Sequence, residues 1–463
     1  MAGITFSSSR NMVRPGVYNR YVQGASALYA GASDGVVACV VGAQWGDVGT
    51  VYEIESLKQA KQIFGGDCAP IREVFTGGAS AVYAVRAGSG GSKGAYTLCD
   101  TDGAQAVRVT ARYVGARKLA LSITESADGT RACVISEDGS EKERIEFKSG
   151  AGEAQALITA AAESEYCLFE LIDGYSGEGT LNTIENAALS GGVDPTLSSD
   201  DYSEALDKLT AYTWNCVCVD DTSDGVRAAL IKYMHAASDE GHTGFAVVGE
   251  GISVPFAQRV KHAAAINDYR MVYVGGGWYE GDALIDGCLS AARVAGMIAR
   301  VPSDKSLTHR TISNATRCAE ALTHARYSES TSCGMLTFST SPTGAVWVEN
   351  AITALSNPEG EDDAGWKKIK RARIRYELMD RASATVSPMV GNVSNDPDGR
   401  AAVIQALEGL MRAMISEGKL LSGATVAIDP DAPPAGDSAS FVIEADDVDA
   451  LEKVYFTYRF SFS

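Results

Sequence analysis

The chain has no run of about eighteen apolar residues, the length a helix needs to cross a bilayer, so no helical membrane span is expected. It is short of positive charge. Forty Lys and Arg stand against 59 Asp and Glu, a formal net charge of −19. That balance argues against phosphate backbones or anionic membranes as partners and favours solubility. Histidine is scarce, with only His235, His242, His262, His309 and His324. The opening residues Met1 to Arg10 lack a charged stretch leading into an apolar core, so no secretory leader is expected. No internal repeat or long low-complexity stretch is visible. The ten cysteines are scattered, and Cys39, Cys133, Cys167, Cys216 and Cys218 lie inside apolar runs. They read as reduced core thiols of a cytoplasmic protein.

The motifs of several chemistries are missing too. Gly88-Ser-Gly-Gly-Ser-Lys-Gly94 fails the phosphate-loop spacing, because Ser92 and not Gly precedes Lys93, and it reads as a flexible joint. Gly275-Gly-Gly277 follows a strand without the Gly-x-Gly-x-x-Gly pattern and reads as a turn, not a ligand crevice. Cys216-x-Cys218 has no second Cys or His pair at ligand spacing, so no metal is expected. Gly241-His-Thr-Gly244 only faintly resembles a catalytic-histidine loop, and no serine sits in a nucleophile elbow. No catalytic residue, cofactor or metal site is assigned.

What the 463 residues do contain is ample core for about two to four domains. Val36-Val-Ala-Cys-Val-Val41 and Ala81 to Arg86 read as strands, with a short helix over 56–64. From 95 to 180, strands 105–114, 118–124 and 131–135 alternate with Asp-Gly turns at hairpin spacing, which predicts a small β-sandwich. Between 186 and 340 strands and helices alternate, which predicts a parallel sheet covered on both faces. There Asp201 is expected to cap one helix, and another is expected to run from Asp282 to Pro302. That second helix is rich in small residues: Ala291, Ala292, Ala295, Gly296 and Ala299. Near the carboxyl end, Asp396 and Pro397 open a helix with one apolar face (Val403, Leu407, Leu410, Met411, Met414) that stops at Gly418. Strands at 423–428 and 440–444 follow.

Both ends look extended. Val454, Phe456, Tyr458, Phe460 and Phe462 alternate with Tyr455, Thr457, Arg459, Ser461 and Ser463, a period of two that predicts a terminal strand with one apolar face. Such a strand needs a partner edge. At the amino end, Arg14-Pro15-Gly16-Val17-Tyr18 reads as a second extended arm, since Pro15 restricts its neighbour and withholds a donor. One basic strip stands out in the acidic chain: Lys367, Lys368, Lys370, Arg371, Arg373 and Arg375. It reads either as a solvated strand with Ile369, Ile374 and Tyr376 turned inward, or as a contact for an acidic neighbour, with 359–363 of another copy as one candidate. Arg400, Arg412 and Lys419 of the carboxyl helix are a second candidate set.

Several of these stretches, taken in order, resemble one family. They are Arg14-Pro-Gly-Val-Tyr18; Phe64-Gly65 with Ile71-Arg-Glu-Val-Phe75 and Val85-Arg86; Val109 to Gly115; and Leu189-Ser-Gly-Gly192-Val-Asp194. Ala291 to Ala299 with Ser306-Leu-Thr308, and Asn395 to Arg400 with Leu451-Glu-Lys-Val-Tyr455, complete the set. The chain resembles the tail sheath proteins of contractile bacteriophages and R-type bacteriocins, although Ala116-Arg-Lys-Leu119 departs from the Gly-Asn that family often has there. The resemblance implies an α/β multidomain fold: arm 1–25, the first part of an α+β core domain at 26–90, and an inserted β-sandwich at 91–183. A subtilisin-like α/β domain at 184–342 follows, then the rest of the core domain at 343–450, built from both ends of the chain, and an arm strand at 451–463. It also implies a structural subunit, with no reaction of its own, that forms stacked hexameric rings around an inner tail tube. Its partners would be itself, the tube protein, and baseplate and tail terminator proteins, in a virion tail assembled in the host cytoplasm, with neither nucleic-acid binding nor membrane insertion. The alternatives are a serine hydrolase of subtilisin-like fold and another phage component such as a baseplate or capsid subunit; fold alone does not carry activity.

Overall fold

The computed structural model describes residues 4–5, 18–19, 35–125, 129–360 and 363–461. Its helices, in chain order, are α1 (Leu57–Phe64), α2 (Ala69–Gly77), α3 (Glu153–Ala160), α4 (Ser199–Lys208) and α5 (Asp224–Asp239). They continue with α6 (Phe256–Ile266), α7 (Cys288–Arg300), α8 (His324–Ser332), α9 (Ile369–Val386) and α10 (Pro397–Ser416).

A seven-stranded sheet forms the centre, in the order Met335–Leu336, Met271–Gly275, Phe245–Glu250, Cys216–Val219, Val36–Val41, Ala81–Arg86, Val51–Ile54. All pairings are parallel except that of the last two strands, which are antiparallel. Strands buried on both faces explain the unbroken apolar runs: Val37, Cys39 and Val41 meet one core, Ala38 and Val40 the other. Helices α1, α2 and α7 cover the first face and α4, α5 and α6 the second. Strands 36–41 and 81–86 therefore belong to the same sheet as strands 216–275. In sequence they fall in separate blocks, because pairing across about 175 residues of chain leaves no local pattern.

Helix α7 crosses α2 at backbone contact. A Cβ on Gly296 would lie 2.1 Å from the Val74 carbonyl oxygen, and one on Gly77 would lie 2.4 Å from the Arg293 carbonyl oxygen. At the same crossing Arg293, 1% exposed, donates to Glu73 Oε2 at 2.9 and 2.6 Å and to Glu280 at 2.8 Å. The helix starts at Cys288 and not near Asp282. Gly281 and Asp282 instead turn a hairpin between Trp278–Glu280 and Ala283–Ile285, Gly281 at φ 59°. The cap of α4 also moves back three residues. Ser198 caps it, and Asp201 closes the capping box by accepting from the Ser198 backbone N–H at 2.7 Å.

The segment 95–188 forms two sheets around a separate core, which also takes in Trp45. One orders Ser140–Phe147, Arg131–Glu137, Leu119–Glu125 and Ile184–Ala188; the other orders Cys167–Leu171, Gln105–Ala111 and Ala95–Cys99. The stretch expected to be a flexible joint, 88–94, is bridged to 193–196. Ser89 pairs with Thr196, Ser92 with Val193 and Ala95 with Ser190, all antiparallel. Glycine is there for close approach, since a Cβ on Gly91 would stand 2.8 Å from the Val193 carbonyl oxygen. Near the carboxyl end, α9 and α10 pack with the antiparallel pair Thr425–Ile428 and Phe441–Glu444, and Asp396 caps α10 by accepting from Gly399 N at 2.8 Å.

Replacing Gly296 with Ala should lower stability by about 1–3 kcal/mol, since the new methyl group overpacks a backbone contact. Gly409→Ala on α10 has open space around it and should stabilise by up to about 1 kcal/mol. Chemical unfolding of the two variants checks the contrast; equal effects would remove the argument for the tight crossing.

Candidate functional site

The most exposed apolar surface lies at the carboxyl end. Tyr455 is 87%, Phe456 74% and Phe460 86% exposed, and no strand forms over 451–461. The expected terminal strand is thus an extended segment without a ladder in this chain. Its alternation survives: Phe456, Tyr458 and Phe460 place successive rings 6.2 and 6.3 Å apart on one side. A strand needs a second strand, and none of the described strands pairs with this segment. Of the amino arm, Arg14, Pro15, Gly16 and Val17 lie outside the described residues, as does Phe462. Tyr18–Asn19 pairs in parallel with Ile4–Thr5.

The basic strip is helical. Residues 369–386 form α9, because Ile369, Ala372 and Tyr376 follow a helical rather than an alternating spacing into the core. Lys368, Arg371 and Arg375 fall on one face, one turn apart, and meet carboxylates of the segment just before the arm. Lys368 Nζ lies 2.6 Å from Asp449 and 2.8 Å from Glu452. Arg371 pairs with Asp447, Arg375 Nε donates to Asp447 Oδ2 at 2.5 Å, and Arg375 Nη1 reaches Asp363 at 2.9 Å. Glu452 also accepts from Ser306 at 3.1 Å and Thr308 at 2.8 Å. Burial draws the Lys368 pKa down, but Asp449 and Glu452 outweigh it and hold the ammonium above the ordinary lysine range. The other members of the strip have different surroundings. Lys367 bonds the Ser356 carbonyl, and Lys370 and Arg373 are buried. Of the second candidate set, Arg400 bonds Asn395 O at 2.9 Å, Arg412 pairs with Glu408 at 3.2 Å, and Lys419 pairs with Glu417 at 2.9 Å. The structure brings the strip together with the root of the arm. Sequence reading treated them as separate features, because 70 or more residues separate them.

The inner face of α9 lines a cavity of about 40 Å³ with Asn215, Thr243, Ser303, Arg373, Glu377 and Asp380, enough for about one or two waters. Burial pushes the Arg373 guanidinium down to about 10 and the Asp380 carboxyl up to about 6, the latter opposed by the Thr243 hydroxyl at 2.7 Å.

The histidines are engaged elsewhere. His242 Nε2 lies 2.9 Å from the Thr210 carbonyl with its ring stacked on Trp214; His235 meets Asp268 at 2.6 Å and His262 meets Glu250 at 2.8 Å. Among the described residues no histidine hydrogen bond reaches a serine hydroxyl, and no group of three or more His, Cys, Asp or Glu could hold a metal ion. No helix among them is long and apolar enough to cross a membrane. Cys216 and Cys218 are buried in the sheet, and burial raises the Cys216 thiol to about 12.

In sequence, residues 196–354 match the family described as phage tail sheath protein central domain, and residues 361–461 match the phage tail sheath C-terminal domain, together more than half of the chain. No curated protein sequence matches. Among solved structures, a sheath tail protein from Desulfitobacterium hafniense is similar at a TM-score of 0.71 and 18% identity, over 90% of this chain and 97% of that one. A sheath tail protein from Listeria innocua is similar at 0.66 and 18%, over 90% and 95%. The helical sheath of the anti-feeding prophage in its contracted state is similar at 0.52 and 12%, over 97% and 99%. At these identities the structural likeness concerns the fold.

Because the Asp380 pKa lies above its unfolded value of 3.8, the folded chain holds that proton more tightly. Its contribution is fully present below pH 3.8 and is lost as pH rises through about 6. Asp380→Asn should flatten that part of the stability profile, read as unfolding midpoints across the window. An unchanged slope would show that Asp380 titrates normally.

Proposed function

Because the chain belongs to the phage tail sheath protein family, we propose that it is the repeating subunit of a contractile sheath that encloses an inner tail tube. Subunits stack as hexameric rings in helical register, and each lends its terminal arms as strands to its neighbours. Contraction re-packs the rings and drives the tube through a target envelope. The energy comes from the lattice and not from a reaction of the subunit, so the chain acts without catalysis. Its partners are further copies of itself, the tube protein, and baseplate and terminator proteins, within a tail assembled in the host cytoplasm.

One observation carries this reading. Every residue from 453 to 461 is exposed, and together they present an alternating aromatic segment to solvent. Strand addition supplies such a segment with backbone hydrogen bonds, while its side chains set register. An open, head-to-tail linkage of this kind builds helical arrays. The subtilisin-like description of the middle domain is kept as a matter of fold, without its chemistry.

A chain ending at Glu452 should fold with an unchanged thermal midpoint and remain dispersed, while the intact chain forms striated tubes in electron micrographs. Tubes of normal appearance from the shortened chain would sink the assembly role of the arm.

A further inference from the structure

We propose that the ion cluster on α9 fixes the pivot of the carboxyl arm at Lys453, so that residues 446–452 remain part of the body wherever the arm goes. The reading of 453–461 as an assembly arm gives the pivot its purpose, but the pivot itself is a property of the single chain.

Three observations place it. First, Asp447 is nearly buried, its side chain 4% exposed, and it faces both Arg371 and Arg375. Removing the guanidiniums would strand a desolvated carboxylate, which costs far more than losing a surface pair. Second, the contacts end abruptly. Glu452 takes Lys368, Ser306 and Thr308 together, its side chain 15% exposed, whereas every described residue from 453 on is exposed. Third, the cluster is tied to the centre of the molecule. Ile369 and Ala372, on the same helix turns as the cations, are buried in the main core with the central sheet and α7. On the acidic side Val448 donates its backbone N–H to the Lys419 carbonyl at 3.3 Å, and Ala445 and Val448 pack with Ile374, Met414 and Leu420.

A pull along the arm would therefore be delivered at Glu452, pass through Lys368 to the start of α9, and reach the sheet without peeling away the strand pair at 425–444. In an array, each copy would send its arm from the same point in the same direction. That lets the arm swing while its origin stays fixed.

Limited trypsin digestion of the dispersed chain tests this directly, because the protease needs an extended stretch on both sides of its cut. Arg459 lies well out on the arm and serves as the internal reference; Lys453 adjoins the cluster. In the unaltered chain, cleavage after Lys453 should be much slower than after Arg459. In Arg371→Gln/Arg375→Gln it should accelerate by about tenfold or more, since local opening follows the free energy that holds the segment. Asp447→Asn and Glu452→Gln are milder changes that keep shape, and either should move the ratio in the same direction even if the double variant does not fold. Hydrogen exchange of 446–452 should rise in parallel. Equal rates at both sites in the unaltered chain, or an unchanged ratio in the folded variants, would overturn the pivot. Neither readout requires tubes, so failure of assembly and failure of the pivot can be told apart.

Discussion

The crossing of α2 and α7 is the constraint on which the rest is built. A parallel sheet must be covered on both faces, and here one cover is a helix from the middle of the chain packed side by side with α2 from its beginning. Two facing glycines let the backbones touch, and the Glu73–Arg293 pair locks the contact from its edge. Arg293 also holds Glu280 and Ser313 and lies over Trp278. One buried guanidinium thus gathers the first block, the hairpin after the central strands and the loop beyond α7. A lysine at that position could not reach all of these with fixed geometry.

The charge pattern shows how an acidic chain uses its few cations. The six in the strip 367–375 look like a docking patch in sequence, yet three of them neutralise the chain's own carboxylates and two are buried. Helical spacing explains the division, because residues 368, 371 and 375 share one face while 370 and 373 turn to the body. The same helix therefore meets the acidic segment on one side and the parallel sheet on the other.

Much of the fold was legible because local rules suffice for it. The runs at 36–41 and 81–86, the helix spacing of 397–416 and the Asp-Gly turns at 102–103 and 138–139 each fold as their patterns require. Misreadings came where a neighbour decides. The strip at 366–375 reads as a solvated strand or as a contact for an acidic neighbour, but its apolar residues fit a helix once the core is in place. The stretch at 88–94 reads as flexible from its glycines, but a bridged segment about a hundred residues later uses them for close approach. The alternation of 454–461 was visible, whereas the carboxylates that fasten its root could not be matched with their cations from spacing alone.

The bridged stretches at 89–95 and 190–196 have a consequence for how such chains diversify. The polypeptide leaves the central body and returns to it side by side, so the whole of 96–189 is attached as the tip of a hairpin would be. Beyond the stems the body reaches the tip through Trp45, buried in the small core, and Arg86, which donates to the Val114 carbonyl at 3.0 Å, so a tip of another length or shape is tolerated where it keeps those contacts. Outer decoration can thus be exchanged through a fixed socket, while the buried crossing at Gly296 and the fastening at Glu452 stay under an unaltered set of contacts.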